Sequence, residues 1–382
     1  MGRRGPRPVQ ARQALAAFGA ALALAAPGLA VHRTRHAPVG VAHIGQPHTR
    51  TRHPAHSPPA LSIGLADCVF VDTSRETYDV DTGRELPGRR LVTEIRYPTR
   101  AGRAGAVTIG AAPARRAGPF PLVVFAPGYA LDPGTYGPLL NAWVRAGFVV
   151  AGVTFPDTNA QAVAHARYGD PEAHDDVNQP GDVAFVARRL EAAARGTSPN
   201  CAFLRGAIDA NALFLAGQSD GGNTVAALAY DRTEAALLTG LHVRAVAVLS
   251  GATLLGTHLS TYRAVAGDPP LLAVESRSDA CNPPQAAARL YDAIVQADRY
   301  FLLTEAATHL GPYDGREPRE LAVVARVTAS FFDATLSGGA LAPRLRAALG
   351  ASPLATLSAG TAVHLPPVHP RAAACFAGLA SR

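Results

Sequence analysis

Beyond residue 60 the chain alternates short apolar runs with stretches whose apolar positions recur at helical spacing. Residues 122–126 (LVVFA) are continuously apolar, as in a strand covered on both faces. Residues 148–153 and 213–217 (LFLAG) repeat that pattern, and 243–249, 271–275 and 300–304 do so with one polar residue each. Helices are predicted over 135–146, 182–194 and 221–230, and an amphipathic stretch over 318–336 closes the core. Two earlier runs, 68–72 and 91–97, read as antiparallel strands, and residues 156–178 read as a polar loop. Strands alternating with helices predict the α/β class: a mostly parallel sheet with helices on both faces. No internal repeat or second domain is visible.

Charge divides the chain at residue 60. Residues 1–60 hold eight Arg and no Asp or Glu, and the first acid is Asp67. The net charge of +7 therefore belongs to this segment, and the rest of the chain is close to neutral. A basic nucleic-acid-binding face is disfavoured, because such a domain carries its charge on the folded part. Residues 1–30 have the form of an export signal. Arg3 to Arg12 make a positive start, residues 14–26 an apolar centre too short to span a bilayer comfortably, and Gly28-Leu29-Ala30 a small-residue cleavage site. Residues 31–60, with six His and five Pro and no apolar period, read as a disordered linker. Residues 61–382 are then the folded domain, with its core at about 65–335 and a C-terminal extension, 351–382, without assigned elements. The expected product is a secreted or envelope-associated monomer with no stable membrane insertion after processing. Its four cysteines, Cys68, Cys201, Cys281 and Cys375, allow two disulfides in three connectivities.

All 36 basic residues are Arg. Without Lys there is no P-loop lysine, no Schiff-base lysine for pyridoxal chemistry and no Ser-Lys hydrolase pair. No two glycines are separated by a single residue, which excludes the dinucleotide fingerprint. The C-x-x-C and H-E-x-x-H zinc patterns are missing too, and no cofactor or metal is expected. Asp170, Glu172, His174, Asp175 and Asp176 crowd the 156–178 loop, and a solvated acidic loop is expected there rather than a metal site.

The segment Gly217-Gln218-Ser219-Asp220-Gly221-Gly222 stands between a buried strand and a helix. This is G-x-S-x-G in the context that gives it meaning: a sharp turn lifts a serine above the C-terminal edge of the sheet. A serine hydroxyl needs a base, and the base needs an orienting carboxylate. Of the seven His outside the linker, only His309 follows a buried strand closely, with His165 and His174 in the polar loop as fallbacks. Asp279 lies just past the 271–275 strand, whereas Glu275 is within it and Asp268 precedes it. The expected order is Ser219, Asp279, His309. Two N–H donors should receive the developing oxyanion: that of Asp220, after the nucleophile, and that of Tyr129, in the turn after 122–126.

The segments FAPGYA (125–130), AIDANALFLAGQSDGG (207–222), LLAVESRSD (271–279) and ATHLGPYDG (307–315) resemble the α/β-hydrolase superfamily. More narrowly, they resemble its secreted esterases: dienelactone-hydrolase-like proteins, cutinase-like polyester hydrolases and platelet-activating-factor acetylhydrolases. The resemblance spans about residues 65–335. It implies an α/β-hydrolase fold, a Ser-Asp-His triad at Ser219, Asp279 and His309, and oxyanion donors at Tyr129 and Asp220. Three positions depart from the pattern: Gln218 where His is usual, Asp220 where polyester hydrolases have Met, and Ser250-Gly251 where they have Trp. The single Trp, Trp143, falls on a predicted helix and reads as core. Only about twenty residues separate the 243–249 and 271–275 strands, too few for a large helical cap. The expected function is cleavage of carboxylic esters with short or exposed acyl groups, through an acyl-enzyme. The alternatives are amide hydrolysis by the same triad and a ligand-binding protein of little activity, with Asp220 and Gln218 as its marks.

Overall fold

The computed structural model describes residues 61–366, apart from residues 104 and 255. The proposed export signal, the linker and Cys375 lie outside the described residues. Ten strands form one sheet: β1 (Ser62–Asp79), β2 (Arg84–Thr99), β3 (Val107–Ile109), β4 (Phe120–Ala126), β5 (Val149–Thr154), β6 (Ile208–Gln218), β7 (Val243–Leu249), β8 (Leu271–Ser276), β9 (Arg299–Thr304) and β10 (Ala355–Ala359). Their order is β10-β9-β8-β7-β6-β4-β5-β2-β1-β3. The run from β9 to β5 is parallel throughout, while β10 joins β9, and β2 joins β5, antiparallel.

Among the described residues the α-helices are α1 (Gly137–Arg145), α2 (Ala160–His165), α3 (Pro171–Asp175), α4 (Gln179–Arg195), α5 (Asp220–Tyr230), α6 (Pro284–Ala293), α7 (Gly311–Asp314), α8 (Pro318–Ser337) and α9 (Leu341–Leu349). Alternation along the central strands feeds two cores. Leu122 and Val124 of β4 and Leu213 and Leu215 of β6 face α4, α5 and α6. Val123, Phe125 and Phe214 face α1 and α8, where they meet Trp143 and Phe332. Burial on both faces is what the uninterrupted apolar runs require. Trp143 is fully buried, and its indole N–H donates to Thr328 Oγ1 at 2.8 Å. Arrangement and layers are those of an α/β-hydrolase fold.

Several elements exceed what the pattern predicts. β1 and β2 are 18 and 16 residues long, because their half-buried alternation continues past the apolar runs at 68–72 and 91–97. The 156–178 segment contains α2 and α3. The C-terminal stretch beyond 335 adds α9 and the edge strand β10. A disulfide joins Cys68 in β1 to Cys201, and Cys281 is also disulfide-bonded. Among the described residues no helix is long and apolar enough to cross a membrane.

The chain leaves β4 toward β5 on one side, then returns to β6 on the other side of β4. A crevice therefore opens beyond the C-terminal ends of β4 and β6, the usual ligand position in such sheets.

Candidate active site

Ser219 occupies that crevice, between β6 and α5. Its backbone lies at φ 55° and ψ −119°, a conformation most side chains avoid. Its N–H is held by Leu249 O of β7 at 2.8 Å. The flanking glycines are required by close approach. A Cβ on Gly217 would meet Gly221 O at 2.0 Å, and one on Gly221 would meet Ala126 O at 2.0 Å. Gly222 packs on the backbone of Gly251, so the small pair Ser250-Gly251 leaves room for the turn.

The loops after β6, β8 and β9 bring Ser219, Asp279 and His309 together. His309 Nε2 lies 2.8 Å from Ser219 Oγ, and His309 Nδ1 lies 2.7 Å from Asp279 Oδ2. Asp279 is fully buried, and its other oxygen accepts the N–H groups of Cys281 at 2.8 Å and Asn282 at 3.0 Å. Both carboxylate oxygens are thus occupied and the side chain has one orientation. The fallback histidines are elsewhere. His165 is exposed and pairs with Gln161 O, and His174 stacks on Tyr78. Glu275, fully buried beneath Asp279, is pushed well above the usual carboxylate range by burial and then by the Asp279 charge.

In the sequence Gln218 is a departure from the family pattern and a mark of little activity. Its side chain donates to His309 O at 3.1 Å and lies 3.3 Å from His309 Nε2. Its carbonyl accepts from the fully buried Tyr136 hydroxyl at 2.7 Å, and that hydroxyl accepts from Gly128 N–H at 3.0 Å. Tyr136 was not singled out by sequence, because nothing in its spacing connects it with a residue 82 positions away. In the turn after β4 the N–H groups of Gly128, Ala130 and Leu131 are all bonded within the protein. That of Tyr129 meets no acceptor among the described residues. Asp220, the first residue of α5, has an N–H that no turn of its own helix can satisfy.

The acidic segment corrects the expectation of a solvated loop at Asp175 and Asp176, while Asp170 is exposed and Glu172 and His174 are half-buried. Asp157, Thr158, Asp175 and Asp176 are all buried. Asp175 accepts from Arg89 through one oxygen and from Thr158 N–H and hydroxyl, each at 2.9 Å, through the other. Arg89 also grips Asp182 of α4 with two nitrogens. Gln179 donates to Thr158 Oγ1 at 3.1 Å and to Asp220 Oδ2 at 2.8 Å. The carboxyl group of Asp220 is therefore directed toward α4, and burial raises its pKa to about 7.

No family model matches the chain, and no curated protein matches it in sequence. Among solved structures it is similar to a ferulic acid esterase from Streptomyces cinnamoneus, at 22% identity and a TM-score of 0.51. The match covers 74% of this chain and 91% of that one. The likeness is one of fold.

Proposed function

We propose that the protein is a secreted serine hydrolase that cleaves carboxylic esters of short or exposed acyl groups. The observation that carries this reading is the line of hydrogen bonds from Ser219 Oγ through His309 to Asp279, at 2.8 and 2.7 Å. Ser219 Oγ attacks the ester carbonyl and His309 Nε2 takes its proton. Asp279 holds the ring so that Nδ1 keeps its hydrogen and the cation is stabilised. The N–H groups of Tyr129 and Asp220 receive the oxyanion. His309 then protonates the departing alcohol, and water, deprotonated in turn by His309, releases the acid from Ser219. The Asp220 carboxyl does not oppose the oxyanion strongly, since it points to Gln179 and is partly protonated at neutral pH.

Supporting observations are the hydrolase fold, the esterase with the similar fold, and a disulfide suited to an oxidising compartment. The test is a fluorophosphonate probe with a panel of p-nitrophenyl esters and matched anilides. Ser219 should be labelled, Ser219→Ala should lose the label, and short esters should turn over fastest. Faster anilide cleavage would make the protein an amidase, and neither labelling nor turnover would leave a binding protein.

A further inference from the structure

One group of acids stands outside this chemistry. Glu172 of α3, Asp176 at the end of α3 and Asp220 at the start of α5 each offer a carboxylate oxygen, and these oxygens lie within 4.8 Å of one another. Asp176 and Asp220 are each only 4% exposed. Oδ1 of Asp176 and Oδ1 of Asp220 are buried without any hydrogen-bond donor, and Gln179 satisfies only the second oxygen of Asp220. A buried carboxylate oxygen without a donor is costly, and here two of them converge.

A proton shared between Asp176 and Asp220 is the chain's own way of easing this charge, and no cation of the described residues supplements it. The chain contains no Lys, and among the described residues no Arg forms an ion pair with Glu172, Asp176 or Asp220. The guanidinium groups of this region pair with other acids. Arg89 holds Asp175 and Asp182, and Arg75 holds Asp72 and Asp182. Gln179 offers no oxygen, because its carbonyl accepts from Thr224.

We infer that Glu172, Asp176 and Asp220 form a binding site for one hard divalent cation, calcium in the first instance, which ties α3 to the nucleophile turn. The donor set is all oxygen, which suits calcium or magnesium and not zinc or copper. The mutual span fits opposite ligands on calcium, whose bonds are about 2.3–2.6 Å long. Glu172 is half-buried and gives the ion and its remaining waters an entry path. Burial, and then the charges of Asp220 and Glu172, lift Asp176 to about 9, and a dication among the three acids would offset both effects.

The test is calcium titration of the full chain after chelator treatment, by calorimetry and by thermal unfolding at about pH 8. One calcium per chain should bind. The unfolding midpoint should rise by about 3 °C or more at a concentration 100-fold above Kd, and the chelator should reverse the rise. Asp176→Asn, nearly isosteric, should abolish both signals. Glu172→Gln, on the accessible rim, should weaken binding by tenfold or more while the protein stays folded. Magnesium should bind more weakly than calcium. No binding at about 10 mM calcium, or binding that persists unchanged in Asp176→Asn and Glu172→Gln, would overturn the assignment. The His-rich segment at 31–60 does not confuse the result, since calcium takes oxygen ligands and the two variants leave that segment intact.

Discussion

The side chain of Gln218 reaches the carbonyl oxygen of His309 at 3.1 Å, tying the Ser219 turn to the loop that carries His309. The other end of the same amide accepts from Tyr136, which in turn receives Gly128 N–H, next to the proposed oxyanion donor Tyr129. One glutamine thus sets the spacing of three loops that are far apart in sequence. Gln218→Ala should lower kcat by about 10–100-fold, since a shift of about 1 Å in such a site costs that much. KM should change little, and the Ser219 label should persist at a reduced rate. Unchanged kcat would reduce Gln218 to a packing residue.

Tyr136→Phe should act through the same contacts and also through stability. It leaves Gly128 N–H and Gln218 Oε1 buried without their partner, at a cost of about 1–3 kcal/mol. Chemical denaturation checks the stability part. Steady-state kinetics at a temperature well below the midpoint checks the loss of kcat that remains when the protein is folded.

Asp279→Asn should preserve the fold and lower kcat by about 10⁴-fold, because an amide in its place favours the wrong imidazole tautomer. The Cys281 and Asn282 N–H groups still find an oxygen at this position, so stability should change less than activity. Turnover within tenfold of the unsubstituted protein would mean that another acid orients His309.

Asp157 carries a pH dependence of known sign. Burial, and then Asp175, raise its pKa to about 8, above the value of about 4 in an unfolded chain. Between these values the folded state holds a proton that the unfolded state has released. Its contribution therefore falls as pH rises from about 4 to 8 and levels off above. Asp157→Asn should raise the thermal midpoint at pH 8, leave it nearly unchanged at pH 4, and flatten the slope between them. Midpoints measured across that range decide the matter, and an identical slope in both proteins would refute it.

Arg89 is fully buried between Asp175 and Asp182. Arg89→Met fills a similar volume but leaves Asp175 without its cation and Asp182 with Arg75 alone, a loss of about 3–5 kcal/mol. Because Asp175 also holds Thr158, and Thr158 and Asp220 share Gln179, ester turnover should fall even below the melting range.

The apolar pattern determined the architecture on its own. The run 245–249 falls within β7 because the part of a strand buried on both faces has nowhere to place a polar side chain. Ser219 was legible for a related reason: a glycine-flanked serine between a buried strand and a helix has few structural readings. Asp279 and His309 were legible by their position after strand ends. Elements at the margins were not. α6 and α9 are rich in Ala and Arg, whose small or snorkelling side chains blur an apolar face, and β10 is a short edge strand with little to bury. The acidic segment misled most, since charged residues ordinarily lie in water. Only the folded chain places Arg89 of β2 against Asp175 and Asp182, 86 and 93 residues away, and so makes their burial tolerable. The Tyr136–Gln218–His309 connection likewise exists only in three dimensions, because hydrogen bonds follow distance in space and leave no periodic mark along the chain.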